Sequence, residues 1–155
     1  MSNTSRGKPL EILLADDDSG DVRLTLEALK LAKWRSHVNV VNGGVEVLNF
    51  LRMHGRYAKA VPPDIILLDL NMPCKNGRDA LGEIKSDPAL RSPPVLIFTT
   101  SEREQDILMS YQLHANCYIT KPVEFEQFHR VVQSIDRFWF TTVKLPVHRD
   151  PCHEQ

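Results

Sequence analysis

The chain has 155 residues, with 42% hydrophobic and 25% charged content and a formal net charge of -1. That is enough for one domain with a sizeable core, and it excludes an overall basic field that would draw the chain to nucleic acid or to an anionic membrane. No apolar run approaches the ~20 residues needed to cross a bilayer. The polar stretch 1–8 lacks the apolar segment of a secretory signal and reads as a short disordered arm. Three cysteines, Cys74, Cys117 and Cys152, are odd in number and widely spaced. They fit a reducing cytoplasm and no disulfide framework, and Cys74, close after Asp69, reads as an incidental loop thiol.

Strand-like and helix-like segments then alternate. Leu10 to Ala15 is an apolar strand. Asp21 to Lys33 follows as a helix with Val22, Leu26 and Leu29 on one stripe, and Asp18 and Ser19 are its plausible N-caps. Val38 to Val41 is a short strand ended by Gly43-Gly44, and a helix through Val45, Leu48 and Leu51 runs to about Met53. His54 to Pro63 is a polar connection. Ile65-Ile66-Leu67-Leu68, closed by Asp69 and bounded by prolines, reads as a fully buried parallel strand. Asp79 to Ser86 is a helix carrying Ala80, Leu81 and Ile84. Val95 to Thr99 is a fourth strand. Ser101-Glu102-Arg103-Glu104 reads as a capping box opening a helix through Ile107, Leu108, Tyr111 and Leu113. Cys117 to Thr120 is a fifth strand, stopped by Lys121-Pro122, and a last helix carries Phe125, Phe128, Ile135 and Phe138 or Trp139. Such alternation implies parallel β-α-β units with helices on both faces. The natural candidate is a flavodoxin-like (βα)5 fold, a doubly wound parallel five-stranded sheet of order 2-1-3-4-5, with its crevice at the strand ends beside the switch point.

Three strand ends carry charge. The first ends in Asp16-Asp17-Asp18, the third in Asp69 and the fifth in Lys121. Taken alone, Asp69 is as readily a turn aspartate before Pro73, and a capped helix start explains one of the three consecutive acids, Asp18. It does not explain all three. If the first and third strands are neighbours, their carboxylates crowd one crevice and repel, and an oxygen-seeking dication such as Mg2+ relieves this. Lys121 supplies an ammonium that can reach a carboxylate or a phosphoryl oxygen, and Thr99 adds a hydroxyl. One reactive carboxylate, two acids for a metal, a lysine and a hydroxyl suit acyl-phosphate formation.

Asp16-Asp17, Asp69-Leu70-Asn71-Met72-Pro73 with Gly77, Thr99-Thr100-Ser101, and Tyr118 with Lys121-Pro122 together resemble a response-regulator receiver domain of a two-component system. The resemblance covers residues 9–140 as the receiver domain and leaves 141–155 as a C-terminal extension. It implies that Asp69 is the phosphoacceptor. Asp17 and Asp69 would bind Mg2+ (or Mn2+) directly, Asp16 through water, and Asn71 by its backbone carbonyl. Lys121 and Thr99 would hold the phosphoryl group, and the Lys121–Pro122 bond is commonly cis in the family. A narrower set is similar to the small regulators paired with phytochrome-type histidine kinases: Asp69-Leu70-Asn71, Thr99-Thr100-Ser101, Ser110 through Lys121, and Phe138-Trp139 through Leu145-Pro146. The partner so implied is a sensor histidine kinase, and the place is the cytoplasm. The chain departs from the general receiver pattern at Leu113-His114-Ala115, where a glycine is usual, and in having a tail.

By the same resemblance, Thr99 moves toward the phosphoryl group and Tyr118 turns inward, reshaping the face of the fourth helix, fifth strand and fifth helix. Little chain follows Phe140, so output is expected by contact with a downstream protein rather than by a DNA-binding or enzymatic domain. Phe138-Trp139-Phe140 fan over ~200° of helix. At least one is expected to project outward and help form a homodimer on that face; the alternative is a frayed end folding its aromatics back. A phosphatase or mutase usually carries a second aspartate two positions after its nucleophile, where Asn71 stands and cannot act as a general acid. A pseudo-receiver would have lost an acid or the lysine. The six histidines show no metal spacing, and the His148 to His153 tail reads as a solvated end.

Overall fold

Successive residues of each predicted strand point to opposite faces, and this period of two organises the protein. The structure is a computed structural model that describes residues 9–31 and 35–146. The expected arm at 1–8, Cys152 and the tail histidines lie outside the described residues. Along the chain come β1 (Leu10–Ala15), α1 (Ser19–Lys30), β2 (Ser36–Val41), α2 (Gly44–Leu51), a single 3-10 turn (Gly55–Tyr57), β3 (Ile65–Leu68), α3 (Gly77–Ser86), β4 (Val95–Thr99), α4 (Glu104–Gln112), β5 (Cys117–Thr120) and α5 (Phe125–Ile135). A π-helical segment, Asp136–Thr142, continues α5. All strand pairs are parallel, in the order β2-β1-β3-β4-β5. This is the order expected from the alternation, with β1 at the switch point.

Leu13, Ala15, Ile66, Leu68, Val95 and Ile97 face one way and pack with Val47, Leu48, Phe50, Leu81 and Ile84 of α2 and α3. Leu10, Ile12, Leu14, Ile65, Leu67, Leu96 and Phe98 face the other way, against Ala28 and Leu29 of α1 and Phe128, Val132 and Ile135 of α5. A sheet buried on both faces explains why β3 and β4 read as unbroken aliphatic runs. No helix among the described residues is long and apolar enough to cross a membrane.

Several boundaries moved for physical reasons. Helix α1 starts at Ser19, because the Asp18 side chain accepts from the Asp21 backbone N–H at 3.0 Å. Strand β2 begins at Ser36, whose pairing with Leu10 is a ladder effect invisible in two polar side chains. Helix α2 ends at Leu51, before Met53 at φ 58°. Helix α3 begins at Gly77, two residues early, capped by Asn76 through a 2.9 Å bond from Asp79 N–H. The capping box at Ser101 does not form. Helix α4 starts at Glu104 with no side-chain cap, and the Ser101 hydroxyl instead donates to Asp106. The Lys121–Pro122 bond is trans, like every described peptide bond.

The departure at His114 has a backbone cause. The Ala115 N–H bonds the Ser110 carbonyl and the His114 N–H bonds the Tyr111 carbonyl, both at 2.9 Å. That is a Schellman ending, and it puts the residue past the cap into the left-handed region; His114 has φ 73°. A side chain there costs about 1–2 kcal/mol that glycine avoids. His114→Gly is therefore expected to stabilise the fold by about 1 kcal/mol, a rise of roughly 2–4 °C in Tm for a chain this size. Calorimetry checks it, and an unchanged or lowered Tm counts against this account.

Candidate functional site

Each charged site residue sits one step beyond a strand, and the backbone ladder continues just far enough to hold it. The Asp16 N–H bonds the Val41 carbonyl at 3.0 Å, the Asp69 N–H bonds the Ala15 carbonyl at 2.9 Å, and the Lys121 N–H bonds the Thr99 carbonyl at 2.6 Å. The main chain of all three is thus fixed by its neighbours in the sheet. Gly77 adds a constraint on Asp69. A Cβ on Gly77 would lie 2.0 Å from the Asp69 carbonyl oxygen, and the Gly77 N–H bonds the Leu70 carbonyl at 2.8 Å. Only a residue without a side chain lets α3 begin so close to the end of β3.

The side chains converge on one ammonium. Lys121 Nζ donates to Asp16 Oδ2 at 2.7 Å, Asp69 Oδ2 at 2.8 Å and Asp21 Oδ2 at 2.9 Å. Asp16 is 2% exposed, Asp69 7% and Lys121 4%, so this is a charge cluster withdrawn from water. Burial drags the Lys121 ammonium down toward neutrality, and the three carboxylates outweigh it, so the group stays firmly protonated. Burial likewise pushes Asp16 up to about 6, against the pull of Lys121 and of the Asp18 N–H. Asp16, Asp17 and Asp69 each bring a carboxylate oxygen within 4.8 Å of the other two. Three hard oxygen donors on a partly solvated crevice, with more negative than positive charge, fit a divalent, oxygen-seeking cation. The exposed Asp17 forms the open side of that crevice.

Thr99 is fully buried at the end of β4, and its Oγ1 has no hydrogen-bond partner among the described residues. A buried orphan hydroxyl is unfavourable unless a ligand satisfies it. The Asn71 N–H bonds Asp69 Oδ1 at 3.2 Å, so the loop after β3 folds back over the Asp69 carboxylate. Tyr118 is half-buried, and its hydroxyl donates to the Ser101 carbonyl at 3.0 Å. All the residues singled out in sequence around the crevice therefore gather at one end of the sheet. Asp21 was missed. A first-turn acid ordinarily reads as a complement to the helix dipole, and nothing local marks it as a third partner of Lys121.

The aromatic run divides. Phe138 is 54% exposed and Phe140 3%, while Trp139 packs partly against the α1–α5 side of the core. Phe140 belongs to the protomer's interior and is withdrawn from any surface, which leaves Phe138 as the outward residue.

The raised Asp16 has a consequence for stability. A carboxyl whose folded pKa of about 6 lies above its ordinary 3.8 favours the fold while protonated. That contribution is complete below pH 4 and is lost as pH rises through 6. Two units correspond to about 2–3 kcal/mol. Asp16→Asn is thus expected to stabilise the metal-free protein at pH 7.5 but not at pH 4, and to reduce any extra stability gained on adding a divalent cation. Urea unfolding with and without chelator measures both, and a destabilised Asp16→Asn at pH 7.5 contradicts the expectation.

Residues 12–133 match the response regulator receiver domain family. Response regulator Rcp1 of Synechocystis sp. is 42% identical over 146 residues, spanning 94% of this chain and 99% of that protein. The phosphorylated cyanobacterial phytochrome response regulator RcpA superposes with a TM-score of 0.88 at 46% identity, over 90% of this chain and 100% of the other. The Mn2+-bound form of Rcp1 gives 0.87 at 42%, with the same coverage. A match over most of the sequence, along nearly the full length of Rcp1, settles the question that the crevice raised: the chain belongs to the response regulator receiver domain family of two-component signalling proteins.

Proposed function

We propose that the regulator accepts a phosphoryl group from a sensor histidine kinase on Asp69, with Asp16, Asp17, Asp69 and the Asn71 carbonyl as the set that holds Mg2+ (or Mn2+). The observation that carries this reading is the meeting of Asp69, Asp16 and Asp17 with Lys121, with Thr99 and its orphan hydroxyl ending the strand next to that of Asp69. An Asp69 carboxylate oxygen forms a bond to phosphorus as the P–N bond to the kinase's histidine breaks, and the imidazole leaves with a proton. Lys121 already bonds Asp69 Oδ2 and lies where it can shift onto an equatorial phosphoryl oxygen. Its bonds to Asp16 and Asp21 keep it charged and aimed during that shift. Thr99 offers its hydroxyl to a second oxygen. A bound dication supplies the charge neutralisation that lets an anionic carboxylate approach an anionic phosphoryl group.

Asp17 and Asp69 ligate the metal directly in this reading, and Asp16, tied to Lys121, acts through water. Catalysis is confined to the protein's own phosphotransfer and dephosphorylation. The kinase partner is of the phytochrome type and the setting cytoplasmic, a reading supported by the likeness to RcpA and by a further neighbour, the bacteriophytochrome response regulator AtBRR, 37% identical with a TM-score of 0.68. Output is by protein contact, with 9–140 as the receiver unit and 141–155 as its extension. Leu108, Met109, Tyr111 and Phe138 are exposed apolar groups on or beside α4, β5 and α5, which supports a homodimer on that face and a downstream protein as reader. Apolar patches of this kind commonly mark interfaces.

Incubation with acetyl phosphate and Mg2+ is expected to add one phosphoryl mass to the wild type and none to Asp69→Asn, and chelator should abolish the gain. Intact mass spectrometry reads this directly; an adduct that survives in Asp69→Asn places the acceptor elsewhere. For the assembly, sedimentation should give a dimer for the wild type and a shift toward monomer for Phe138→Ala, and two identical monomers would rule the dimer out.

A further inference from the structure

One charged contact lies outside the crevice yet touches both loops that frame it. Arg78 Nη1 donates to Asp106 Oδ1 at 2.6 Å, and Arg103 Nε reaches Asp106 Oδ2 at 3.5 Å. The Ser101 hydroxyl donates to the same carboxylate. Asp106 is 5% exposed, an unusual place for an acid. The Ser101 hydrogen bond, with Arg103 and Arg78 beside it, holds its carboxyl below the usual range.

The positions of these partners give the pair a role. Arg78 follows Gly77, where a Cβ would lie 2.0 Å from the Asp69 carbonyl oxygen and whose N–H bonds the Leu70 carbonyl. Its backbone therefore follows a residue tied to Leu70, the neighbour of Asp69 in the chain. Asp106 lies in the first turn of α4, and through the Ser101 hydroxyl it holds the β4–α4 loop. The Ser101 carbonyl in that loop accepts from Tyr118, and two residues upstream stands the unpartnered hydroxyl of Thr99.

We propose that the Arg78–Asp106 ion pair is a positioning element that locks the β4–α4 loop to the acceptor strand and holds Thr99 and Tyr118 ready for the phosphoryl group on Asp69. The inference rests on the reading of Asp69 as phosphoacceptor. Without Arg78, Asp106 keeps only the longer contact from the solvent-exposed Arg103 at 3.5 Å; a buried carboxylate so weakly paired is drawn toward water, and the available route is outward movement of the α4 start together with Ser101. The loop that begins at Thr99 then samples other positions, and apparent affinity for a phosphoryl mimic falls by the fraction still competent. The acids Asp16, Asp17 and Asp69 take no contact from this pair, so metal affinity is left alone.

Titration of the full chain with beryllofluoride in saturating Mg2+, followed by fluorine NMR, tests this against a separate Mg2+ titration. Asp106→Asn and Arg78→Gln should weaken beryllofluoride binding roughly tenfold, within the usual span of coupling between sites, with Mg2+ affinity unchanged within about twofold. Arg78→Lys, which keeps the cation, should recover most of the loss. Arg78 is the more exposed partner, so Arg78→Gln remains informative if Asp106→Asn fails to fold. Beryllofluoride affinity unchanged in Arg78→Gln, or lost in parallel with Mg2+ affinity, overturns the proposal. A wild type that binds no beryllofluoride at all instead overturns the reading of Asp69.

Discussion

The site depends on the balance struck around the Lys121 ammonium. Four acids, Asp16, Asp17, Asp21 and Asp69, open onto the same end of the sheet, and one lysine is set among them. Buried charge of one sign is tolerable only when it is paired. Lys121 therefore makes three ion pairs at once and is held charged against its own burial. The cluster still carries more negative than positive charge, and Asp16, withdrawn from water, is driven toward protonation mainly by its burial. A dication is the natural complement, and a phosphoryl group arriving with it finds both an ammonium and an idle hydroxyl in place.

This arrangement is delivered by backbone geometry before any side chain acts. Parallel strands extend their hydrogen-bond ladder by one residue past the apolar run, which fixes Asp16, Asp69 and Lys121 at neighbouring positions. The close approach of α3 to the end of β3, possible only through Gly77, removes slack from the loop after β3. The side chains of Asp16, Asp69 and Lys121 are then held from a fixed backbone, which limits misplacement of the reacting groups.

Around this rigid centre the output face is built differently. Strand β5 is half-buried along its length, α4 ends in a left-handed histidine, and α5 widens into a π-helical segment. The bond from Tyr118 to Ser101 and the ion pairs of Asp106 join that face to the crevice through side chains rather than through the sheet. The Tyr118 hydrogen bond can exchange partners at modest cost, whereas the buried Asp106 pair and the ladder beneath it cannot. In the proposed function, these contacts are the path along which a change of charge at Asp69 is felt.

The strands and the two-sided burial of the sheet were legible in the sequence. Aliphatic runs such as Ile65 to Leu68 and Val95 to Thr99 have no other economical place than the middle of a parallel sheet. Once the alternation implied the strand order, Asp16, Asp17, Asp69, Thr99 and Lys121 had to meet, because each ends a strand on the same side. Asp21, Arg78 and Asp106 were not legible. Their partners lie 100 residues away for Asp21 and 28 for the other pair, and no local period records such a pairing. The same holds for Ser101, where local propensity favoured a helix cap and the buried carboxylate of Asp106 took the hydroxyl instead. Sequence by itself determined what is buried and which strand ends carry charge, since hydrophobic period and chain order are local properties. Tertiary structure alone decided which charges pair, since that depends on distances across the fold that only packing sets.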